Sequence, residues 1–269
     1  MLKDITFGQY FQADSPVHKA DPRVKIIIMT AFIVFIFISA NIFSLLFSAA
    51  IVITSILLSK VPIKMFLKNL KSILPILIFT AIINMFYGEG GKVILTFWRF
   101  EINTNGVYRA LFIALRIILL IFVSSVLTYT TTPNDLTDAI ERLFSPLKYI
   151  GLKNAVHNLA MMMTIALRFI PTLIEETEKI MNAQKARGAD LENGNLMQRV
   201  RALIPILIPL LISSVRRAYE LAEAMECRCY NGGEGKTRMK QLRLSIVDLF
   251  VFVYMAIFAA GVILLNILF

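Results

Sequence analysis

Apolar residues in this chain come in long runs, and polar residues gather between them. Ile26–Ala40, Ile42–Ser59, Ser72–Tyr87 and Val107–Thr128 read as four membrane-spanning helices, with Leu244–Phe269 as a fifth. A span takes roughly 17–25 residues, so the first three runs are short. The first two, parted only by Asn41 and its neighbours, predict a tight helical hairpin whose flanking residues snorkel. The pattern breaks over 88–106. There Val93–Trp98 and the Asn103-Thr104-Asn105-Gly106 cluster predict a short hairpin, with Trp98 and Tyr108 in an interfacial aromatic belt. Asn84 in the third span is read as bonding a neighbouring helix. Arg109 and Arg116 in the fourth are read as snorkelling or pairing with another helix, since they lie about two turns apart.

After Thr130-Thr131-Thr132-Pro133 the character changes. Asn134 or Asp135 can cap a helix through Leu143, and Ser145-Pro146 and Gly151 break it. Asn154 to Ile170 carries a nearly unbroken apolar face that includes Met161, Met162 and Met163. Methionines fill irregular cores and also suit surfaces that accept more than one partner. Pro171 starts or kinks the amphipathic segment that follows, and Ala189–Asn195 reads as a turn. Leu203–Val215 is apolar but short for a span, with Pro205 and Pro209 on one helical face. Asn231–Lys240 is a polar, glycine-rich loop.

Within this region two long helices each run into an arginine flanked by small residues. One ends Ala183-Gln184-Lys185-Ala186-Arg187-Gly188-Ala189, the other Ala224-Met225-Glu226-Cys227-Arg228-Cys229-Tyr230. Leu173, Ile174, Thr177, Ile180, Met181 and Gln184 share one side of the first; Ala218, Leu221, Ala222 and Met225 share one side of the second. Taken singly, Arg187-Gly188 is a helix stop, a cation in the last turn followed by glycine. The second copy weakens that reading, because cysteine is not a penalty-free residue at that position and the arginine is still there. An arginine at a helix tip can instead grip a carboxylate with two hydrogen bonds in a groove of another protein.

Composition agrees with a membrane protein. The chain is 57% hydrophobic, and its mean hydropathy of +0.71 is far above the soluble norm. The net charge of +10 reports cytoplasmic lysine and arginine near anionic lipid, and no aromatic-interleaved basic stripe points to nucleic acid. Lys60, Lys64, Lys68 and Lys71 mark a basic loop that sets the N-terminus inside and, over five spans, Phe269 outside. Residues 1–25 do not read as a signal peptide. No catalytic, cofactor or metal set survives inspection. Gly235-Lys236-Thr237 lacks the upstream glycine of a phosphate-binding loop, whose place Tyr230 takes. His18 and His157 lack spaced partners and read as structural. Cys227 and Cys229 are too few ligands for a metal site.

The paired arginine motifs resemble those of the transmembrane (T) subunit of energy-coupling factor (ECF) vitamin transporters. So do Ser15-Pro16-Val17-His18-Lys19-Ala20-Asp21-Pro22-Arg23, Thr131-Thr132-Pro133, Leu143-Phe144-Ser145-Pro146-Leu147 and Ala166-Leu167-Arg168-Phe169-Ile170-Pro171-Thr172-Leu173, in order along nearly the whole chain. Cys229 departs from the glycine that the family often has. The resemblance implies a non-catalytic scaffold in a prokaryotic cell membrane. It would join two ABC-type ATPases to a small substrate-binding membrane subunit for vitamin or micronutrient uptake.

The expectation is therefore an all-α polytopic membrane protein with about five transmembrane helices. Residues 1–130 hold the N-terminal segment and four spans, 131–243 the cytoplasmic coupling helices, and 244–269 the last span. By resemblance, Ala186, Arg187, Gly188, Cys227, Arg228 and Cys229 dock the ATPases. Met161, Met162, Met163, Leu207, Leu210 and Leu211 are assigned to the interface with the substrate subunit. From Pro171 to Arg187 a helix would reach ~24 Å, a lever of useful length. A self-contained secondary transporter or channel is the alternative, and an intramembrane enzyme a weaker one. The missing run of paired intramembrane charges speaks against the former.

Overall fold

The computed structural model describes residues 10–86, 93–97, 100–146, 153–189, 195–231 and 245–268. It is helical apart from one two-stranded ribbon. The elements are α1 (Pro16–Lys19), α2 (Pro22–Ile38), α3 (Ile42–Ser59), α4 (Ile63–Phe86), β1 (Val93–Phe97), β2 (Phe100–Asn103), α5 (Thr104–Thr130), α6 (Pro133–Leu143), α7 (Lys153–Ala186), α8 (Leu196–Cys227) and α9 (Ile246–Leu268). The chain divides into two compact units. One comprises 8–136 with 240–269, the other 1–7 with 137–239, so the division falls inside α6.

The first unit is built on α2, α3, α5 and α9. Its core gathers Phe32, Ile36, Leu45, Val52, Leu119 and Phe258, with Ile36, Leu45 and Phe258 fully buried. Ser44 and Ser48 of α3 are also fully buried and return their hydroxyls to the carbonyls of Asn41 and Ser44, which lets a neighbouring helix approach closely. At Gly261 of α9 an added Cβ would stand 2.4 Å from the Phe47 ring of α3. A side chain there would have to displace the Phe47 ring, so glycine lets α9 and α3 meet as they do.

Polar groups at the helix ends lock this unit. Asp21 caps α2, accepting from the Arg23 amide at 2.9 Å while the Arg23 guanidinium clasps the same carboxylate. The buried Asp248 carboxylate accepts the Asp21 amide at 2.7 Å and the Ser245 amide at 2.6 Å, tying the start of α9 to the start of α2. His18 bonds the Phe11 carbonyl at 2.8 Å and meets the Ser15 hydroxyl at 2.7 Å, so it is structural as expected. At the other end of α2, Arg116 donates to the Ser39 carbonyl at 2.5 Å and lies over the Phe112 ring. A cation at a helix C-terminus faces the negative end of the macrodipole. Asn266 adds a bond to the Ile38 carbonyl at 2.9 Å. Arg116 thus pairs with another helix.

Several expectations need correction. The third span does not begin at Ser72: α4 starts at Ile63, so Lys64, Lys68 and Lys71 lie on a helix, and Pro75 sits inside it. Asn84 donates to the Thr80 carbonyl of its own helix at 2.8 Å and has no bond to a neighbouring helix among the described residues. Thr132 caps α6 through the Asp135 amide, in place of Asn134 or Asp135. His157 does have a carboxylate partner, Glu141 at 3.3 Å. The expected hairpin is present as β1 paired antiparallel with β2, while Trp98 lies outside the described residues. Six helices among the described residues are long and apolar enough to cross a membrane: α3, α4, α5, α9 and stretches of α7 and α8. The first expected span is present as the 17-residue α2, at the short end of the roughly 17–25 residues that cross a bilayer.

Candidate functional site: two arginine-ended helices

The second unit is dominated by α7 and α8, continuous helices that carry Pro171, Pro205 and Pro209 in their interiors. An interior proline frees the carbonyl four residues before it. For Pro209 that is the Pro205 carbonyl, and Gln184 of α7 reaches it through its side-chain amide at 3.5 Å. Farther along, Glu176 of α7 accepts from the Ser213 hydroxyl and from Arg217 at 2.6 Å. Nearer the start of α7, the Met161 thioether takes the Tyr230 hydroxyl at 2.6 Å. The pairs 184 with 205, 176 with 213 and 161 with 230 run in opposite senses, so the hairpin is antiparallel.

The side chains along it obey that pairing. Leu173, Ile174, Thr177, Ile180, Met181 and Gln184 are half-buried, as their spacing predicts, while Glu175, Lys179 and Asn182 are exposed. On α8 the inward stripe is Ala202, Ile206, Leu210, Ser213, Arg217, Leu221 and Met225, so the expected Ala218 and Ala222 face outward. The six residues assigned to a partner surface split in the same way. Met162, Met163, Leu207 and Leu211 are exposed, whereas Met161 and Leu210 are half-buried.

Both helices stop alike. The Ala189 amide donates to the Gln184 carbonyl at 3.0 Å and the Gly188 amide to the Lys185 carbonyl at 3.0 Å. The Tyr230 amide donates to Met225 at 3.0 Å and the Cys229 amide to Glu226 at 2.8 Å. Each pair of bonds is a Schellman motif, which satisfies the last orphan carbonyls through one left-handed residue. That residue is Gly188 at φ +86° in one and Cys229 at φ +55° in the other. The chain after Arg228 therefore follows the path it takes after Arg187, although cysteine stands where glycine is favoured. Arg187 and Arg228 occupy the same position, directly before the left-handed residue, and both are exposed with no ion pair among the described residues. Ala186, Cys227 and Cys229 are exposed as well.

Because the hairpin is antiparallel, the two arginines sit at opposite ends of it. Arg228 lies beside the Met161 level of α7, and Arg187 lies 26 residues farther on, on the order of 40 Å at the α-helical rise. Among the described residues no cluster of histidine, cysteine, aspartate or glutamate could hold a metal ion.

Fold and tips together define a multi-pass helical membrane protein with a long antiparallel hairpin that carries an exposed arginine at each end. The profile of the cobalt transport protein family, CbiQ, matches residues 13–239. The chain is 53% identical over 249 residues to the energy-coupling factor transporter transmembrane protein EcfT of Clostridium kluyveri, covering 92% of each chain. It is 49% identical over 270 residues to EcfT of Ruminiclostridium cellulolyticum, covering both chains in full, and 43% identical to EcfT of Lactococcus lactis over 90% of each. The chain belongs to this family of energy-coupling factor transporter transmembrane proteins.

Proposed function

We propose that the protein is the scaffold of an ECF-type importer, coupling ATP hydrolysis by two cytoplasmic ATPases to a substrate-binding membrane subunit. Residues 131–243 are the cytoplasmic coupling region, and the chain itself is non-catalytic. The observation that carries this reading is the pair of matched arginine tips about 40 Å apart along one hairpin. Two tips so widely separated suit two grooves on two copies of an ATPase better than one groove on one. Each guanidinium would enter a carboxylate-lined groove, and Ala186, Gly188, Cys227 and Cys229 leave it unobstructed. The N-terminus lies inside the cell and Phe269 outside. The exposed Met162, Met163, Leu207 and Leu211 meet the substrate subunit, whose cargo, a vitamin or other micronutrient, is chosen in that chain.

The test is copurification. Wild-type protein should bring down two ATPase subunits and support ATP-driven uptake, and Arg187→Glu combined with Arg228→Glu should abolish both while the spans stay inserted. Retention of both ATPases and normal uptake by that double variant would make the arginines ordinary helix ends. Transport by the isolated chain without ATPases would establish the self-contained transporter instead.

A further inference from the structure

The first unit contains a cavity of about 400 Å³ walled by α1, α2, α3, α5 and α9. Its size lies within the range of small-molecule sites, about 300–1,000 Å³, and well above the roughly 150 Å³ that admits benzene. The walls are apolar: Ile28, Phe32, Val52, Val123, Val126 and Val251 are among them. Three hydroxyl-bearing residues also border it, and each donates to a backbone carbonyl. Ser55 donates to the Ile51 carbonyl at 3.0 Å, Tyr254 to the same carbonyl at 2.6 Å, and Thr130 to the Val126 carbonyl at 2.8 Å.

One charged side chain lines the space, and it is a cation. Lys25 is 8% exposed, and its ammonium donates to the carbonyls of Thr130 at 2.9 Å and His18 at 3.2 Å. An ammonium has three donors, so one N–H remains. Three carboxylates act on Lys25 from nearby, those of Asp135, Asp248 and Asp21, and none of them lines the cavity: Asp21 holds Arg23, and Asp248 holds two backbone amides. The rim is greasy. Leu58 and Phe250 both line the cavity and are 49% and 69% exposed, so it opens on the apolar outer surface of the helices. An apolar chamber entered from an apolar surface, with one buried cation near the start of α2, fits a single amphiphile.

We propose that this cavity seats an acyl chain of a bilayer phospholipid whose anionic head group meets Lys25. The chain fills the space between Phe32, Val52 and Val126, and the head group accepts the remaining lysine N–H. A bound lipid of this kind would brace the starts of α2 and α9 against the ends of α3 and α5.

The full chain, in nanodiscs of mixed phosphatidylcholine and phosphatidylglycerol, can be photolabelled with either lipid carrying a diazirine on its acyl chain. Labelled phosphatidylglycerol should mark peptides within 123–127 and 247–251 and outcompete phosphatidylcholine. Lys25→Met should keep the label but lose about tenfold in that preference, the scale of one charge-assisted hydrogen bond. Val126→Trp fills the cavity and should abolish the label. Leu58→Trp, at the half-exposed rim where the ring needs no core space, should do the same in a protein whose fold is undisturbed. Equal labelling of wild type by both lipids would overturn the head-group assignment. Labelling that survives Leu58→Trp would overturn the cavity as the site. Recovery of a free fatty acid in place of a phospholipid from native mass spectrometry would also overturn it.

Discussion

Gly188 and Cys229 hold the same place in the same motif, and only one of them suits it. A left-handed residue other than glycine costs about 1–2 kcal/mol through the clash of its Cβ with the following carbonyl. The α8 end bears that cost, yet it forms the same two capping bonds as the α7 end and carries arginine in the same position. A helix stop alone would be better made with glycine at both ends. The feature common to the two tips is the cation, presented by the cap and left without an ion-pair partner among the described residues. The comparison separates what ends the helix from what the helix end presents.

The strongest way to break that comparison is to remove one cation at a time. Truncating a hydrogen-bonded charge in a buried interface costs on the order of 2–5 kcal/mol. Arg187→Ala and Arg228→Ala should each weaken ATPase copurification by a similar factor, and the Glu variants should be worse because they add repulsion. Binding measured by titrating purified ATPases onto the reconstituted chain checks this. If one arginine mattered and the other did not, the matched geometry would be coincidental.

Exchanging the left-handed residues tests the other half. An added Cβ at Gly188 meets nothing within 4 Å, so Gly188→Ala should register backbone strain alone, about 1 kcal/mol. Amide hydrogen exchange over 184–189 should quicken about fivefold, the equivalent of that energy. ATPase binding should change far less than in the arginine variants. A loss of binding as large as that of Arg187→Ala would mean that the backbone, and not the guanidinium, is what the partner reads.

The tie between the helices gives a smaller effect. Glu176 receives Ser213 and Arg217 at a half-exposed site, so Glu176→Gln should cost roughly 1 kcal/mol or less. Spin labels at Ala183 and Ala224 should then show a broader distance distribution, because the hairpin that spaces the tips is loosened. An unchanged distribution would assign the spacing to apolar packing alone.

Much of this was legible in the residue pattern, for definable reasons. Apolar runs located α3, α5 and α9 because a lipid-facing helix is apolar nearly all round. The start of α4 was hidden because Lys64, Lys68 and Lys71 read as a loop, although their spacing of four and three lays them on one helical stripe. Pro171 suggested the start or a kink of a segment, but α7 continues through it, as α8 does through Pro205 and Pro209, and one freed carbonyl finds Gln184. The arginine tips were visible as a repeated motif. Their placement at opposite ends was not, since it depends on pairs such as Met161 with Tyr230 that lie far apart in the chain. Nor could spacing show that His157 faces Glu141.

The mildest prediction concerns Cys229 itself. Cys229→Gly relieves the left-handed strain of about 1–2 kcal/mol, but glycine also gains about 0.4–1 kcal/mol of freedom in the unfolded chain. The net should be a stabilisation of the α8 end by roughly 0.5–1 kcal/mol, seen as two- to fivefold slower amide exchange over 225–230. Because Arg228 is untouched, ATPase binding should stay within about twofold of wild type, and the α8 tip should then match the α7 tip in residue as well as in geometry. Faster exchange in the variant would show that the cysteine side chain makes a contact worth more than the strain it imposes, and would end the equivalence of the two caps.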